Sequence, residues 1–284
     1  MQTRKKISSV LMMVALSLVS VKATAQRLNM PAPSPLETVN QHFGLGEVKI
    51  EYSRPGVKDR TIFGDVVPYG KVWRTGANAT TKITFTDDVQ LEGHDVKAGT
   101  YGLYTVPNKD AWDIMLYSDL DLGGNVADYK KENEILRFSV KRIQLPLKIE
   151  TLTMNLGKVT PTSATLELMW ENTYIGIKIT TDIDAKVMKN IEESMASDKP
   201  AYFQAATYYY DNNKDLKQAL TWIDKAVAES PKAFYMMLMK AKIEYKLGDK
   251  KAGEASAQKT IELSKEAQNN DYVALAEKLM AANK

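Results

Sequence analysis

No cysteine occurs in the 284 residues, and histidine occurs only twice, as His42 and His94. The first absence excludes a disulfide framework, a thiol nucleophile and a thiolate metal site. The second leaves neither imidazole with a partner at metal-ligand spacing, so a structural or solvated role is expected for both and no metal is expected. The G-x-S-x-G elbow, the Walker loop, the H-E-x-x-H helix and the dinucleotide fingerprint are missing too, and no cofactor is expected. Stability therefore rests on an ordinary apolar core, which a 44% share of hydrophobic residues can supply.

The N-terminus carries an address. Arg4, Lys5 and Lys6 precede an apolar run from Ile7 to Val21, and Ala23-Thr24-Ala25 follows as an A-x-A cleavage site. Together they predict a secretory signal over residues 1–25 and a periplasmic or secreted protein. The run is short of the roughly 20 residues a membrane span needs, so no transmembrane segment is expected after cleavage. Cleavage removes four cations (Arg4, Lys5, Lys6, Lys22) and no acid, taking the formal charge from +3 to −1. The basic excess belongs to the signal and gives no reason to expect nucleic acid.

Residues 26–35, with three prolines, read as an extended leader. From there to about residue 181 the period is two. Val48, Ile50 and Tyr52 alternate with polar residues, as do Ile83 and Phe85, Leu103 and Thr105, Trp112, Ile114 and Leu116, and Leu136, Phe138 and Val140. Gly44-Leu45-Gly46, Asp87-Asp88, Gly93-His94 and Pro107-Asn108 punctuate these runs as turns. Ala164, Leu166, Leu168 and Trp170 form the cleanest strand, and Glu171-Asn172-Thr173 reads as a turn before Ile175, Ile177 and Ile179 return antiparallel. Short strands at this spacing predict an antiparallel β-sandwich, or a barrel-like relative, over residues 36–181.

Past Thr181 the period becomes helical, so the fold class is α+β multidomain with an all-α domain over 182–284. Asp182 is placed to cap a helix bearing Ile183, Val187, Ile191 and Met195, which Asp198-Lys199-Pro200 ends. Ala206, Tyr210, Ala219, Ile223, Ala226 and Pro231 then look like one tetratricopeptide repeat, and Ala241, Tyr245 and Leu247-Gly248-Asp249 begin a more degenerate copy. Two readings of this tail stand: a groove for a protein or peptide partner, or a cover for the β domain. Met236, Met237 and Met239 are expected to fill packing gaps.

Chemistry concentrates in Tyr52–Thr81, YSRPGVKDRTIFGDVVPYGKVWRTGANATT. Arg54, Arg60 and Arg74 are costly to bury without acceptors and are able to grip an anion or carboxylate bidentately. Tyr69 and Trp73 offer stacking surfaces for a glycan or an aromatic group. With Asn78 they form the candidate ligand-binding site; no catalytic residue is assigned. The competing account is that the arginines pair with internal acids and brace a long loop. An enzymatic alternative, a hydrolase or lyase acting on a glycan or peptide, would need a carboxylate beside Arg74 and Asn78. A scaffold working through the helical tail is the remaining one.

These residues also carry a resemblance. Y-S-R-P, K-x-R-T-I-F-G, V-P-Y-G-x-V-W-R-T-G-A-N and the later A-G-T-Y-x-L resemble an exported bacterial family known as domain of unknown function twenty-nine eleven, over about residues 35–179. The resemblance implies an exported β domain, often followed by tetratricopeptide-like helices. Where that family usually has Glu-Ala-Thr after G-A-N, this chain has Ala79-Thr80-Thr81, and the missing acid favours a structural or binding role. An asparagine-synthetase label attached to some members finds no support here, since there is neither a glutaminase cysteine nor an ATP pyrophosphate loop.

Overall fold

Tight turns begin the β unit. In the computed structural model, which describes residues 30–284, β1 (Leu36–Phe43) pairs antiparallel with β2 (Gly46–Ser53) across Gly44-Leu45, with Gly44 in the left-handed region at φ 62°. The expected secretory signal lies outside the described residues. After β3 (Ala77–Phe85), the Asp87-Asp88 turn leads to β4 (Val89–Leu91). Glu92 and Gly93, both at positive φ (49° and 86°), then turn the chain into β5 (His94–Val96), the geometry that matches hairpin twist. β6 (Gly99–Val106), β7 (Ala111–Tyr117), β8 (Glu134–Lys141), β9 (Ile143–Gly157) and β10 (Ser163–Thr180) follow.

All strand pairings are antiparallel. One sheet runs β1-β2-β3-β6-β7-β8 and the other β5-β4-β10-β9. Their inward faces meet in one core that joins Ile50, Ile83, Leu103 and Trp112 of the first to Leu152, Leu166, Trp170 and Ile177 of the second. The expected alternation is thus realised as a sandwich.

One turn is corrected. Glu171-Asn172-Thr173 does not reverse the chain: β10 runs through it as a single 18-residue strand. Its register against β9 shifts on either side of Glu171, which sits at φ 52°. Ala164, Leu166, Leu168 and Trp170 are buried before this point, and Thr173, Ile175, Ile177 and Ile179 after it. An extra residue moves the buried set from even to odd positions while keeping it on the inner face, which is what a β-bulge does.

The outer face of the first sheet is also covered. Tyr104, Met115 and Tyr117 form a second buried cluster with Val72, Val106, Leu122 and Tyr129 around it. The connection between β7 and β8 closes over them. Tyr104 Oη donates to the Gly123 carbonyl at 3.0 Å, Gly123 N–H donates to Thr80 Oγ1 at 2.8 Å, and Lys130 N–H donates to Tyr117 Oη at 2.9 Å.

The chain divides between Thr181 and Asp182. The second unit holds α1 (Asp184–Met195), α2 (Tyr202–Asp211), α3 (Leu216–Glu229), α4 (Phe234–Lys246), α5 (Lys250–Glu266) and α6 (Asn270–Ala282). Asp182 Oδ1 accepts the Asp184 N–H at 2.9 Å, and Asp215, Asp249 and Asn269 cap α3, α5 and α6 with their side chains. Ala206, Ala219, Ile223, Ala226 and Ile243 are buried together, with Met236 and Met239 packed against them. No described helix is long and apolar enough to cross a membrane.

Candidate functional site

The Tyr52–Thr81 stretch separates into side chains bound within the fold and side chains that face a cavity. Arg54 belongs to the first kind. Its Nε donates to the Leu152 carbonyl and its Nη2 to Thr153 Oγ1, both at 3.0 Å, and Nη1 lies 3.1 Å from the Glu37 carboxylate. The Tyr52 hydroxyl donates to the same Glu37 and accepts the Met154 N–H at 2.7 Å. Burial, reinforced by the Glu37 hydrogen bond, holds that phenol well above the ordinary tyrosine range. Arg54 and Tyr52 thereby tie the edge strand β1 to β9 in the opposite sheet.

Arg60, though exposed, folds back onto its own turn: Nε donates to the Val57 carbonyl at 3.0 Å and Nη2 to that of Gly56 at 2.8 Å. Tyr69 packs against the core, where its ring leaves no room for a Cβ on Gly64. Asn78 is left-handed (φ 59°), and its Nδ2 donates to the Ser34 carbonyl at 3.1 Å, fixing the end of the leader. The bracing account therefore describes Arg54, Arg60 and Asn78, with backbone carbonyls taking most of the place expected for internal acids.

Trp73 and Arg74 are adjacent and differ completely. The Trp73 backbone forms both hydrogen bonds of a bridge to Thr105, at 2.8 and 2.9 Å, taking the place beside β6 that β3 vacates as it diverges. The indole enters the core, stacked on Trp170 and edge-on to Phe63 and Trp112, and Nε1 donates to the Gly76 carbonyl at 3.1 Å. Its faces are occupied, so the stacking platform expected of Trp73 is not available. Thr75 follows at φ 56°, a strained conformation for a β-branched residue, and its Oγ1 bonds Thr105 Oγ1 at 3.1 Å.

Arg74 turns to the other face. Its Nε is buried and has no hydrogen-bond partner, and no ion pair involves its guanidinium among the described residues. The group lies against Gly124 so closely that a Cβ there would sit 2.0 Å from Nη1. Beside it is a cavity of about 140 Å³ between the Val66–Arg74 segment and the loop of Gly124 and Val126. Lys71 lines the same cavity; Val66, Val67, Pro68 and Val72 supply an apolar wall, and no carboxylate is present in the lining. Of the six expected site residues, the fold brings only Trp73 and Arg74 to this cavity. Lys71 and Gly124 are not among the expected residues; the glycine pair Gly123-Gly124 between β7 and β8 is the signal that marks the second.

His42 lies 3.3 Å from Glu47 on the surface, and His94 stacks on Phe138. No group of three or more His, Asp or Glu side chains suited to a metal occurs among the described residues.

Fold and site together define a two-unit α+β protein, an antiparallel β-sandwich with a small cation-lined cavity followed by six helices. The chain belongs to the family described as "Protein of unknown function (DUF2911)", which it matches over residues 34–179. No curated protein and no solved structure matches it.

Proposed function

We propose that the β unit is a binding module whose ligand presents a carboxylate or similar anion to Arg74 and Lys71. The observation that carries this reading is the buried Arg74 Nε without an acceptor, in a chain where Arg54 and Arg60 have theirs satisfied internally. An unmet buried donor costs about 1–3 kcal/mol, more when charged, and an anionic ligand relieves that cost. The valine-rich wall suits an apolar group attached to the anion. At about 140 Å³ the cavity is below the usual size of a whole small-molecule site, so it takes a small acid or the end of a larger molecule. A lining with two cations and no carboxylate supports binding over hydrolysis or elimination.

The N-terminal pattern supports export to the periplasm or beyond. The helical unit is read as tetratricopeptide-like and as the surface for a protein or peptide partner. Its caps Asp215 and Asp249 stand 34 positions apart, as do the buried pairs Ala219 and Gly253, and Ala226 and Thr260, matching the repeat period.

Titration of the full chain with acyl carboxylates and N-acetylated amino acids, followed calorimetrically and by tryptophan emission, tests the cavity. Saturable, salt-sensitive binding is expected, weakened about tenfold or more by Arg74→Ala. Equal affinity in a folded Arg74→Ala variant, or no saturation by any carboxylate, refutes it.

A further inference from the structure

The bulge in β10 builds a second concavity. Tyr174 Oη donates to Glu167 Oε1 at 3.1 Å, although the two residues are seven apart in one strand. Seven residues of straight strand span about 23 Å, beyond the combined reach of the two side chains. The strand is therefore bent sharply about Glu171, and Glu167 and Tyr174 meet across the crook. Gly176 and Gly157 make room for them. A Cβ on Gly176 would lie 2.8 Å from Tyr174 Oη, and one on Gly157 would lie 2.7 Å from the Glu167 carboxylate. Tyr174 is thus laid close along β10 itself, and Glu167 against the neighbouring β9.

A concavity of about 400 Å³ opens here, within the range of small-molecule sites. Lys141, Lys158 and Lys178 line it, and none of their ammonium groups has a hydrogen bond or ion pair among the described residues. One carboxylate lines the concavity beside the three lysines: Glu92, whose Oε1 accepts the Lys178 backbone N–H at 2.5 Å; Glu167 next to it accepts from Tyr174. Burial first, and the Glu167 charge second, push the Tyr174 phenol up to about 12, so it stays a neutral hydroxyl at physiological pH. Thr165 adds a hydroxyl to the lining, as does Ser139, whose Oγ lies 3.1 Å from its acceptor Asp113 Oδ1.

We propose that this crook binds an acidic saccharide, its carboxylate or sulfate held among Lys141, Lys158 and Lys178 and its hydroxyls met by Ser139, Thr165 and Tyr174. Three separated cationic donors interleaved with hydroxyl oxygens that accept from sugar hydroxyls, the Tyr174 and Ser139 protons being given to Glu167 and Asp113, fit a polyhydroxylated anion. The lining has no arginine fork for bidentate phosphate and only one aromatic ring, so it lacks the successive stacking platforms of a nucleic-acid groove. It shares no lining residue with the Arg74 cavity, so the two readings stand or fall separately.

The test is calorimetric titration of the full chain carrying Arg74→Ala, so that the first carboxylate site does not contribute, with trigalacturonate, with a sulfated disaccharide and with neutral maltotriose, at low and physiological salt. Saturable binding is expected for at least one acidic probe and not for maltotriose, weakening as salt rises. The combined Lys141→Gln, Lys158→Gln and Lys178→Gln variant, checked for fold by circular dichroism, is expected to lose it. Tyr174→Phe is expected to weaken it several-fold. The proposal is overturned if neither acidic probe binds at about 10 mM in low salt, if maltotriose binds equally, or if the triple variant retains the affinity.

Discussion

Truncating Trp73 separates a folding role for the Tyr52–Thr81 stretch from a binding role. The indole is 9% exposed and lies 5.8 Å from Trp170, stacked within 18°, with Phe63 and Trp112 edge-on at 6.2 and 6.1 Å. Removing a buried aromatic of this size costs about 3–5 kcal/mol. Loss of the Nε1 bond also leaves the Gly76 carbonyl without that donor, worth about 1–3 kcal/mol. The two overlap, so Trp73→Ala is expected to cost about 4–6 kcal/mol, a large part of the 5–15 available to a typical domain. Trp73→Phe keeps one ring in the cluster and is expected to cost about 2–3 kcal/mol. Trp222 is the only tryptophan outside the β unit, so a Trp222→Phe background makes tryptophan emission report on that unit during urea unfolding. A Trp73→Ala midpoint within about 1 kcal/mol of its parent, combined with loss of carboxylate binding, would refute the core assignment.

Three further outcomes follow from single contacts. Gly124→Ala places a methyl where Arg74 Nη1 now lies; carboxylate affinity should fall about tenfold with little change in melting temperature, because the position is exposed. Undiminished affinity in calorimetry would show that the guanidinium does not act from this position. Burial holds the Glu244 carboxyl above its ordinary 4.5, against the opposing pull of Ser256 and Lys240, while Asp224 and Asp249 add to the rise. The folded state therefore binds the proton more tightly. The stabilisation is fully present below about pH 4.5 and is lost as pH rises through the raised folded value. Glu244→Gln should flatten that loss and stabilise the helical unit near neutrality, as read by helix ellipticity in urea across a pH series; an unchanged profile sinks the idea. Gly253→Ala drives a methyl to 2.7 Å from Tyr245 Cγ between α4 and α5. Overpacking of about 1–3 kcal/mol should outweigh the roughly 1 kcal/mol gain in helix propensity, and a raised unfolding midpoint would contradict it.

Much of the β unit is legible in the chain because local chemistry decides it. Gly44, Asp87-Asp88 and Gly93 mark turns, and Ile50, Ile83 and Ile114 all fall on the inner face as their alternation requires. Glu171-Asn172-Thr173 has the composition of a turn, and only the change of buried phase from Trp170 to Thr173 reveals the bulge. β9 is harder to find. Its Leu152, Met154 and Leu156 alternate, but they follow the exposed Ile143, Leu147 and Lys148, which hide the period. The burial of Tyr104, Met115 and Tyr117 has no local signal, because the covering loop joins them only in three dimensions. The site was partly visible for the same reason. Arginine is easily counted, but whether a guanidinium meets a carbonyl, as at Arg54, or none, as at Arg74, depends on strands far away in sequence.

The neighbours Trp73 and Arg74 show how the fold and the cavity constrain each other. Both hydrogen bonds of the Trp73–Thr105 bridge fix the register of this segment beside β6. Extended backbone sends alternate side chains to opposite faces, so Trp73 enters the core while Val72 and Arg74 face the outer cluster of Tyr104. A slip of one residue would expose the indole and bury a guanidinium among Phe63, Trp112 and Trp170, a double penalty that no neighbouring acid is placed to offset. Core packing therefore positions the Arg74 guanidinium, and Gly124 gives it the space to lie flat. A donor held this way is already ordered before any ligand arrives. On the proposed reading, an anion meeting it would have little side-chain entropy left to overcome, which offsets the small size of the cavity.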